Sequence, residues 1–247
     1  MDGERGEPHP AAVIPGALTL PARPRTGGQR RVRALSRDRG RDNGSMTGGY
    51  SAISSYSRVE IMRLLQERPQ RAVAELVEAT GLHANTVREH VQRLIDAGYV
   101  IAENERRTTR GRPRVLYSAA TGAAQASSPV AARRAEEAAR RGDLLRRVYG
   151  SDTDAELGAD ALHQLDALVE DLGDAGFDPV VDERELTVDL TPCPHAASAD
   201  HRGVLCGVHV GLMDSVLAQA GGPLRVEGIA PSCDPTQCVV QLAAAPA

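Results

Sequence analysis

The chain has 247 residues and a formal net charge of −4, from 29 basic and 33 acidic side chains. Every one of these basic residues is arginine, which excludes lysine-dependent Schiff-base chemistry. Five tyrosines and one phenylalanine are too few for a single-strand binder that stacks bases on several rings. The net charge is +7 over residues 1–120 and −11 over residues 121–247. This asymmetry favours a polyanion-binding half joined to a half with another task.

The sequence predicts a cytoplasmic protein without a membrane partner. We find no apolar run near the ~20 residues that a membrane span needs, and no apolar core of a signal peptide near Met1. In a reducing compartment, the four cysteines are expected to bind metal or sense redox state rather than to form structural disulfides.

Residues 1–48 are rich in Gly, Pro, Arg and Ser and lack apolar periodicity, so we predict a disordered basic segment. Two interpretations stay open. The segment is an arm that contacts DNA, or it is an overextended gene start with Met46 as the true initiator. We favour the second, because Met46 directly precedes the first segment with a folded pattern.

Two short helices open the predicted domain at residues 52–120. Ser57-x-x-Glu60 has the form of a capping box before an apolar run, and Pro69 ends that helix. The second helix is predicted over Val73–Thr80, with Gly81 after its last turn.

A third helix and a basic hairpin complete this domain. The helix begins near Ala84 and closes at Gly98, and the strands Tyr99–Ala102 and Val115–Ser118 flank an arginine-rich loop. Three helices, a tight glycine turn and a basic hairpin predict a winged helix-turn-helix. The apolar residues Val87, Val91, Leu94 and Ile95 recur at the spacing of one buried helix face.

The second half predicts a small α+β domain over residues 155–247, after a linker and dimerisation helix over residues 121–154. The fold class is therefore α+β, with an N-terminal winged helix-turn-helix and a C-terminal sensor or dimerisation domain. Residues 131–149 are expected to form part of the dimer interface. The other predicted elements are helices at about Ala155–Leu172, broken by Gly173 and Gly176, and Gly203–Ala218, and strands at Asp178–Val181, Leu186–Leu190, Leu224–Gly228 and Cys238–Leu242.

The outward face of the third helix is the predicted DNA-reading surface. Asn and Gln suit adenine, Arg suits guanine, and Glu accepts from cytosine N4. We expect Asn85, Thr86 and Glu89 to contact bases, and Arg88 and Arg93 to contact phosphate or guanine. The alternative is an ordinary solvated helix face. The predicted contact residues of this helix are Asn85, Thr86, Arg88, Glu89, Gln92 and Arg93.

The hairpin loop holds five arginines within nine residues. In the run Arg110-Gly111-Arg112-Pro113, glycine and proline favour an extended backbone whose arginines can enter a narrow minor groove. The alternative is general attraction to phosphate, which carries no sequence information. The predicted DNA contacts here are Arg110, Arg112 and Arg114.

The cysteines Cys193, Cys206, Cys233 and Cys238 are predicted metal ligands, separated by 12, 26 and 4 residues. Thiolates suit iron–sulfur clusters, and cysteine–histidine mixtures suit structural zinc, so the spacing leaves both open. Cys206 and His209 fall on one helix face, where they could share one ion. Unligated thiols that pack as small apolar groups are the third possibility.

Taken together, these motifs resemble the ArsR-like winged-helix regulators, in particular the SufR branch, which represses iron–sulfur assembly genes. The resemblance covers about residues 55–243. The segments that carry it are Gly81–His90, Gly111–Tyr117 with its Gly-Arg-Pro-Arg start, and Cys193-Pro194 followed by Cys206 and Cys233.

The resemblance implies a homodimeric repressor that binds a double-stranded DNA operator and carries an iron–sulfur cluster of the [4Fe-4S] type. Cys193, Cys206 and Cys233 match the three cysteines of that pattern, and Cys238 is additional to it. The fourth ligand is then Cys238, Asp189 or a histidine. Zinc remains the alternative metal. A thiol enzyme is disfavoured, because Cys206 with His209 is the only candidate pair.

Overall fold

The computed structural model describes residues 52–106, 113–149, 157–192, 201–230 and 236–245. In chain order, the elements are α1 (Tyr56–Glu67), β1 (Arg71–Ala72), α2 (Val73–Thr80), α3 (Ala84–Asp96), β2 (Val100–Asn104), β3 (Val115–Ala119), α4 (Pro129–Tyr149), α5 (Ala159–Asp174), β4 (Val180–Asp182), β5 (Thr187–Asp189), α6 (Arg202–Ala220), β6 (Leu224–Ile229) and β7 (Val239–Ala244).

Helices α1, α2 and α3 and the sheet β1-β3-β2 form a winged helix-turn-helix, as the sequence predicts. Gly81 ends α2 in the left-handed conformation (φ 69°), which is strained for other residues and turns the chain toward α3. Glu75 accepts a hydrogen bond at 2.7 Å from the backbone N–H of Ala72, which stabilises the start of α2. This bond also lowers the pKa of Glu75.

The capping box predicted at Ser57 and Glu60 is wrong. The N-cap residue of α1 is Ser55, so Ser57 lies inside the first turn. Glu60 instead accepts a hydrogen bond at 3.0 Å from Nε of Arg63, one turn later. A Ser-x-x-Glu pattern fits either arrangement, because residues three apart are also neighbours on the surface of a helix.

Strand β1 was not predicted from the sequence. Its two residues pair antiparallel with β3, with Arg71 opposite Tyr117 and Ala72 opposite Leu116. Two residues are too few to produce an alternating pattern, so only the tertiary pairing reveals this strand.

The C-terminal region is a four-stranded antiparallel sheet, in the order β4-β5-β7-β6, packed with α5 and α6. The broad α+β prediction is therefore confirmed, with small shifts of element boundaries. One detail is wrong, because Gly173 lies inside α5 and the chain turns at Gly176 (φ 92°). The core of this region includes Leu165, Leu168, Leu172, Val181, Val188, Met213, Leu217, Val240 and Leu242.

Helix α4 packs against α5 and α6 of the same chain through small side chains. Gly142 lies so close to α5 that an added Cβ would be 2.6 Å from Cβ of Asp166. The larger apolar residues Leu144 and Val148 are 60% and 65% exposed. The buried residues of α4 are Ala131, Ala135, Ala138 and Ala139.

Helix α6 contributes to two hydrophobic cores. Val208 and Leu212 are buried among residues of α1, α2 and α3, whereas Met213 and Leu217 are buried in the C-terminal core. Gln66 of α1 donates a hydrogen bond at 3.2 Å to the carbonyl oxygen of Val208. A helix that is apolar on all sides is expected to be surrounded by protein.

The same composition gives α6 the length and mean hydropathy (1.3) of a membrane span, the one such helix among the described residues. The expectation that no apolar run approaches this length is therefore wrong for α6. Helix α6 nevertheless packs against both hydrophobic cores, and 33% of this stretch is buried.

Candidate nucleic-acid interface and cysteine region

Helix α3 has one buried face and one exposed face. Val87, Val91 and Leu94 are at most 1% exposed, and Ile95 is half-buried. Thr86 on the flank is half-buried. The other five predicted contact residues are exposed: Asn85, Arg88, Glu89, Gln92 and Arg93. We call these five residues and Thr86 the reading face.

The polar groups of the reading face bind one another along the helix. Arg88 donates to Asn85 at 2.9 Å, and Arg93 donates to Glu89 at 2.6 Å. Such exposed pairs contribute only about 0.2–1 kcal/mol each. They can therefore be exchanged for contacts with DNA at small energetic cost.

A buried cation of α1, Arg58, interacts electrostatically with Glu89 and Arg93 of the reading face. Arg58 of α1 is 7% exposed and donates to the carbonyl oxygen of Ala52 and to Oγ of Ser54. Burial lowers its pKa, and the positive charge of Arg93 lowers it further. Burial also lowers the pKa of His90, with Arg58 as a second cause, which favours a neutral imidazole at neutral pH.

The hairpin β2–β3 carries the predicted wing. Arg106, two residues after β2, and Arg114, directly before β3, are both exposed, and Arg114 pairs with Glu105 at 3.3 Å. Arg110 and Arg112 lie outside the described residues, so their predicted minor-groove contacts stay predictions.

The C-terminal end of α3 is attached to the rest of the chain by Arg134 of α4, a residue that sequence analysis did not single out. Its Nη1 donates at 2.8 Å to the carbonyl oxygen of Ala97, the C-cap residue of α3. Its Nε lies 3.2 Å from Oδ1 of Asp171 of α5, and its guanidinium carbon lies 4.8 Å from the ring centroid of Tyr99. Arg134 is one of six arginines in α4, so the sequence carries no local signal of this role.

Two of the four cysteines belong to the described residues. Cys238 is 6% exposed, belongs to the C-terminal core and directly precedes β7. Its backbone N–H donates to Oγ1 of Thr191 at 3.2 Å, and its carbonyl oxygen accepts from Leu190 at 2.7 Å. Cys193 and Cys233 lie outside the described residues.

Cys206 is half-buried in the second turn of α6. One turn later, His209 is buried, and its ring stacks on Phe177 at 4.8 Å, so this imidazole packs in the core. At the start of the helix, the ring of His201 lies 4.1 Å from that of Tyr56 in α1. The beginning of α6 thus lies beside the beginning of α1.

The described residues alone do not assemble a metal centre. Within them, no three His, Cys, Asp or Glu side chains come together to hold one ion. Asp189, one of the predicted fourth ligands, accepts a hydrogen bond at 2.9 Å from the backbone of Thr191. Since two of the four cysteines are not described, the predicted ligand set stays a prediction.

Three helices, a hairpin and an exposed polar face on the third helix define a DNA-binding domain of the winged-helix class. Residues 55–102 match the family described as "Bacterial regulatory protein, arsR family". The chain thus carries an ArsR-family helix-turn-helix domain and is a DNA-binding transcriptional regulator. A search of curated proteins found no match to the chain.

Proposed function

We propose that the protein is a dimeric repressor whose operator affinity depends on an iron–sulfur cluster bound by its C-terminal cysteines. The observation that carries this proposal is the position of α6. This helix bears Cys206 and also places Val208 and Leu212 in the core of the DNA-binding domain. A chemical change at Cys206 is therefore two residues away from a side chain that supports α1 and α3.

DNA recognition is assigned to α3 and the wing. The reading face supplies amide, carboxylate and guanidinium groups that match base edges in the major groove. Arg110, Arg112 and Arg114 are assigned to the adjacent minor groove and phosphates. Two copies would place their α3 helices in half-sites about one DNA turn apart, as dimeric helix-turn-helix proteins do.

Two hydrogen bonds between described residues support the proposal of a common thiolate site. The backbone N–H of Cys238 donates to Oγ1 of Thr191 at 3.2 Å. The backbone N–H of Ala230 donates to the carbonyl oxygen of Val239 at 2.7 Å. Cys193 and Cys233 follow Thr191 and Ala230 by two and three residues in the sequence, and we assign both to the same site as Cys238.

The donor chemistry fits iron and sulfide better than a hard cation, because the candidate ligands are thiolates. When bound, such a cluster supplies a centre that oxidation or iron loss alters. The protein's part is to hold it with Cys193, Cys206 and Cys233, with Cys238, Asp189 or a histidine as the fourth ligand. Cys206 lies in the second turn of α6, and the start of this helix lies beside Tyr56 of α1.

The metal assignment is tested by anaerobic purification of the full chain, followed by absorption spectroscopy and analysis of iron, sulfide and zinc. We expect a broad band near ~400 nm with matched iron and sulfide. Single Cys→Ser variants at all four positions, with Asp189→Asn and His201→Ala, then identify the ligands. A colourless protein with about one zinc per chain would replace the cluster with a structural site. Metal-free protein would leave a regulator of another signal.

The regulatory assignment is tested by measuring operator affinity in cluster-loaded and apo protein. The operator is selected by the full chain from a random-sequence duplex library, and sedimentation gives the stoichiometry. We expect two chains per palindromic site and a different affinity in the two states. Equal affinities would remove the sensor function while leaving DNA binding intact. A single chain per site would contradict the dimer.

A further inference from the structure

We propose that Arg134 is a positioning residue for DNA recognition, which sets the orientation of α3 from the C-terminal half of the chain. The proposal starts from the contact at the end of this helix. Nη1 of Arg134 donates at 2.8 Å to the carbonyl oxygen of Ala97, the C-cap residue of α3. The last carbonyls of a helix lack partners within it, and a cation at this end interacts favourably with the helix dipole.

The guanidinium is itself held by groups outside α3. Its Nε lies 3.2 Å from Oδ1 of Asp171, whose side chain is 7% exposed in α5. Its guanidinium carbon, Cζ, lies 4.8 Å from the ring centroid of Tyr99, a buried residue that directly precedes β2. Arg134 therefore joins the end of α3 and Tyr99, the residue directly before β2, to α5. A planar fork of donors suits such a simultaneous contact, whereas the point charge of a lysine does not.

The position of this contact makes it effective at a distance. Helix α3 has 13 residues and is about 20 Å long, so a tilt of about 5° at Ala97 moves the N-terminal tip by about 1.7 Å. Base contacts of helix-turn-helix proteins come from that tip. Hydrogen bonds tolerate only a few tenths of an ångström around 2.9 Å. A small loss of restraint at Ala97 should therefore disturb the base contacts proposed for Asn85 and Thr86.

Arg134 is also suited to carry information from the sensor half, because Asp171 belongs to α5 and α5 packs against α6. This part of the inference rests on the proposed reading of bases by α3. The restraint on α3 itself does not depend on any cluster.

The test compares Arg134→Ala and Arg134→Lys with Arg133→Ala in the full-length protein. Arg133 is the neighbouring, exposed arginine of the same helix, so its loss changes the net charge equally. Fluorescence anisotropy measures the dissociation constants for the selected operator and for a scrambled duplex at several salt concentrations. We expect both Arg134 variants to lose at least fivefold in the ratio of specific to non-specific affinity, the lower end of usual couplings between sites. Arg133→Ala should keep the ratio.

Three results would overturn the proposal. Equal loss on both duplexes would indicate only a smaller folded fraction. A salt slope reduced by about 0.9 would indicate that Arg134 contacts a phosphate directly. Asp171→Asn should not lower the ratio of specific to non-specific affinity further in an Arg134→Ala background. If it lowers the ratio there as much as it does in the wild type, the two residues act independently.

A measurement without DNA separates this inference from the proposed function. Hydrogen exchange of the amides in the last turn of α3, residues 93–97, should be faster in Arg134→Ala and unchanged in Arg133→Ala. Arg134→Lys keeps the positive charge, and it serves as the second variant if Arg134→Ala does not fold. If the wild type selects no sequence, base reading by α3 fails, and the exchange rates still decide whether Arg134 restrains the helix. Unchanged exchange in both Arg134 variants would refute the restraint.

Discussion

The contact between α6 and α1 can be tested at one glycine, because Gly211 lies directly against the side chain of Gln66. A Cβ atom added at Gly211 would clash with Nε2 of Gln66 and lie 2.8 Å from its Cδ. The amide occupies this place because Nε2 donates to the carbonyl oxygen of Val208 at 3.2 Å. Gly211→Ala must therefore move a flexible side chain and break this hydrogen bond.

The size of the effect follows from two opposing contributions. Alanine in place of glycine within a helix stabilises by about 0.5–1 kcal/mol. The lost hydrogen bond costs about 0.5–1.5 kcal/mol. Gly211→Ala should therefore leave the free energy of unfolding almost unchanged. Gly207 is one turn earlier, and a Cβ there would have nothing within 4 Å, so Gly207→Ala should show the full stabilisation.

Urea unfolding of the reduced apo protein, followed by far-UV circular dichroism, gives the two free energies. We expect the free energy of unfolding of Gly207→Ala to exceed that of Gly211→Ala by about 1 kcal/mol. In a Gln66→Ala background, the difference should vanish, because the amide is already absent. Equal stabilisation by both glycine variants in the wild-type background would refute the reasoning that Gln66 fastens α6 to α1.

Three further predictions address the core, the reading face and pH. Leu212 is 4% exposed, so Leu212→Ala should lower the free energy of unfolding by about 2–5 kcal/mol. Val148 is 65% exposed, so Val148→Ala should change it by less than about 0.5 kcal/mol. Equal effects of the two variants in urea unfolding would contradict the assigned burial. Glu89→Ala removes an exposed ion pair with Arg93, so the free energy of unfolding should change by less than about 1 kcal/mol. Fluorescence anisotropy should show an altered operator affinity for the same variant. An unchanged affinity would show that Glu89 is not part of the interface. Burial raises the pKa of Asp166 to about 7, despite its ion pair with an arginine. The folded state then binds this proton more tightly than the unfolded state, so stability should fall as pH rises from ~4 through about 7. Asp166→Asn should abolish this fall in urea unfolding at several pH values, and an unchanged slope would assign it to another group.

The DNA-binding domain was largely predictable because its signals are local. The bounds of α2 agree with prediction, since Gly81 supplies the left-handed turn after it. The apolar spacing on α3 identified Val87, Val91 and Leu94 as buried, and the opposite face is exposed as a geometric consequence. These features depend on the period of the helix and not on distant parts of the chain.

Helix α4 shows where a pattern of large apolar residues is insufficient. Of the three large apolar residues expected near its end, Leu144 and Val148 are exposed and Leu145 is half-buried. Alanines form the buried face instead, and Gly142 approaches α5 closely. Small side chains allow close approach of helices, and burial of this kind leaves little trace in the contrast of hydropathy along the sequence. The predicted dimer role of residues 131–149 stays a prediction.

The sharing of α6 between two cores could not be read from the sequence for a related reason. Periodicity identifies a buried face only when the opposite face is polar, and α6 is apolar on nearly all sides. Which residues meet α1 and which meet the sheet depends on the tertiary arrangement. The winged-helix core therefore includes Val208 and Leu212, far beyond the predicted boundary at residue 120.

This arrangement has a consequence for how the regulator responds to a signal. Among the contacts that the described residues make between the C-terminal half and the DNA-binding domain, two are relevant to α3. One runs through Val208 and Leu212 into the helical core, and the other runs through Arg134 to the end of α3. The first supports the fold of the DNA-binding domain, and the second restrains the tilt of one helix. A signal at the cysteines that acts through the first route should change stability and operator affinity together. A signal that acts through the second should change the specificity ratio at constant stability.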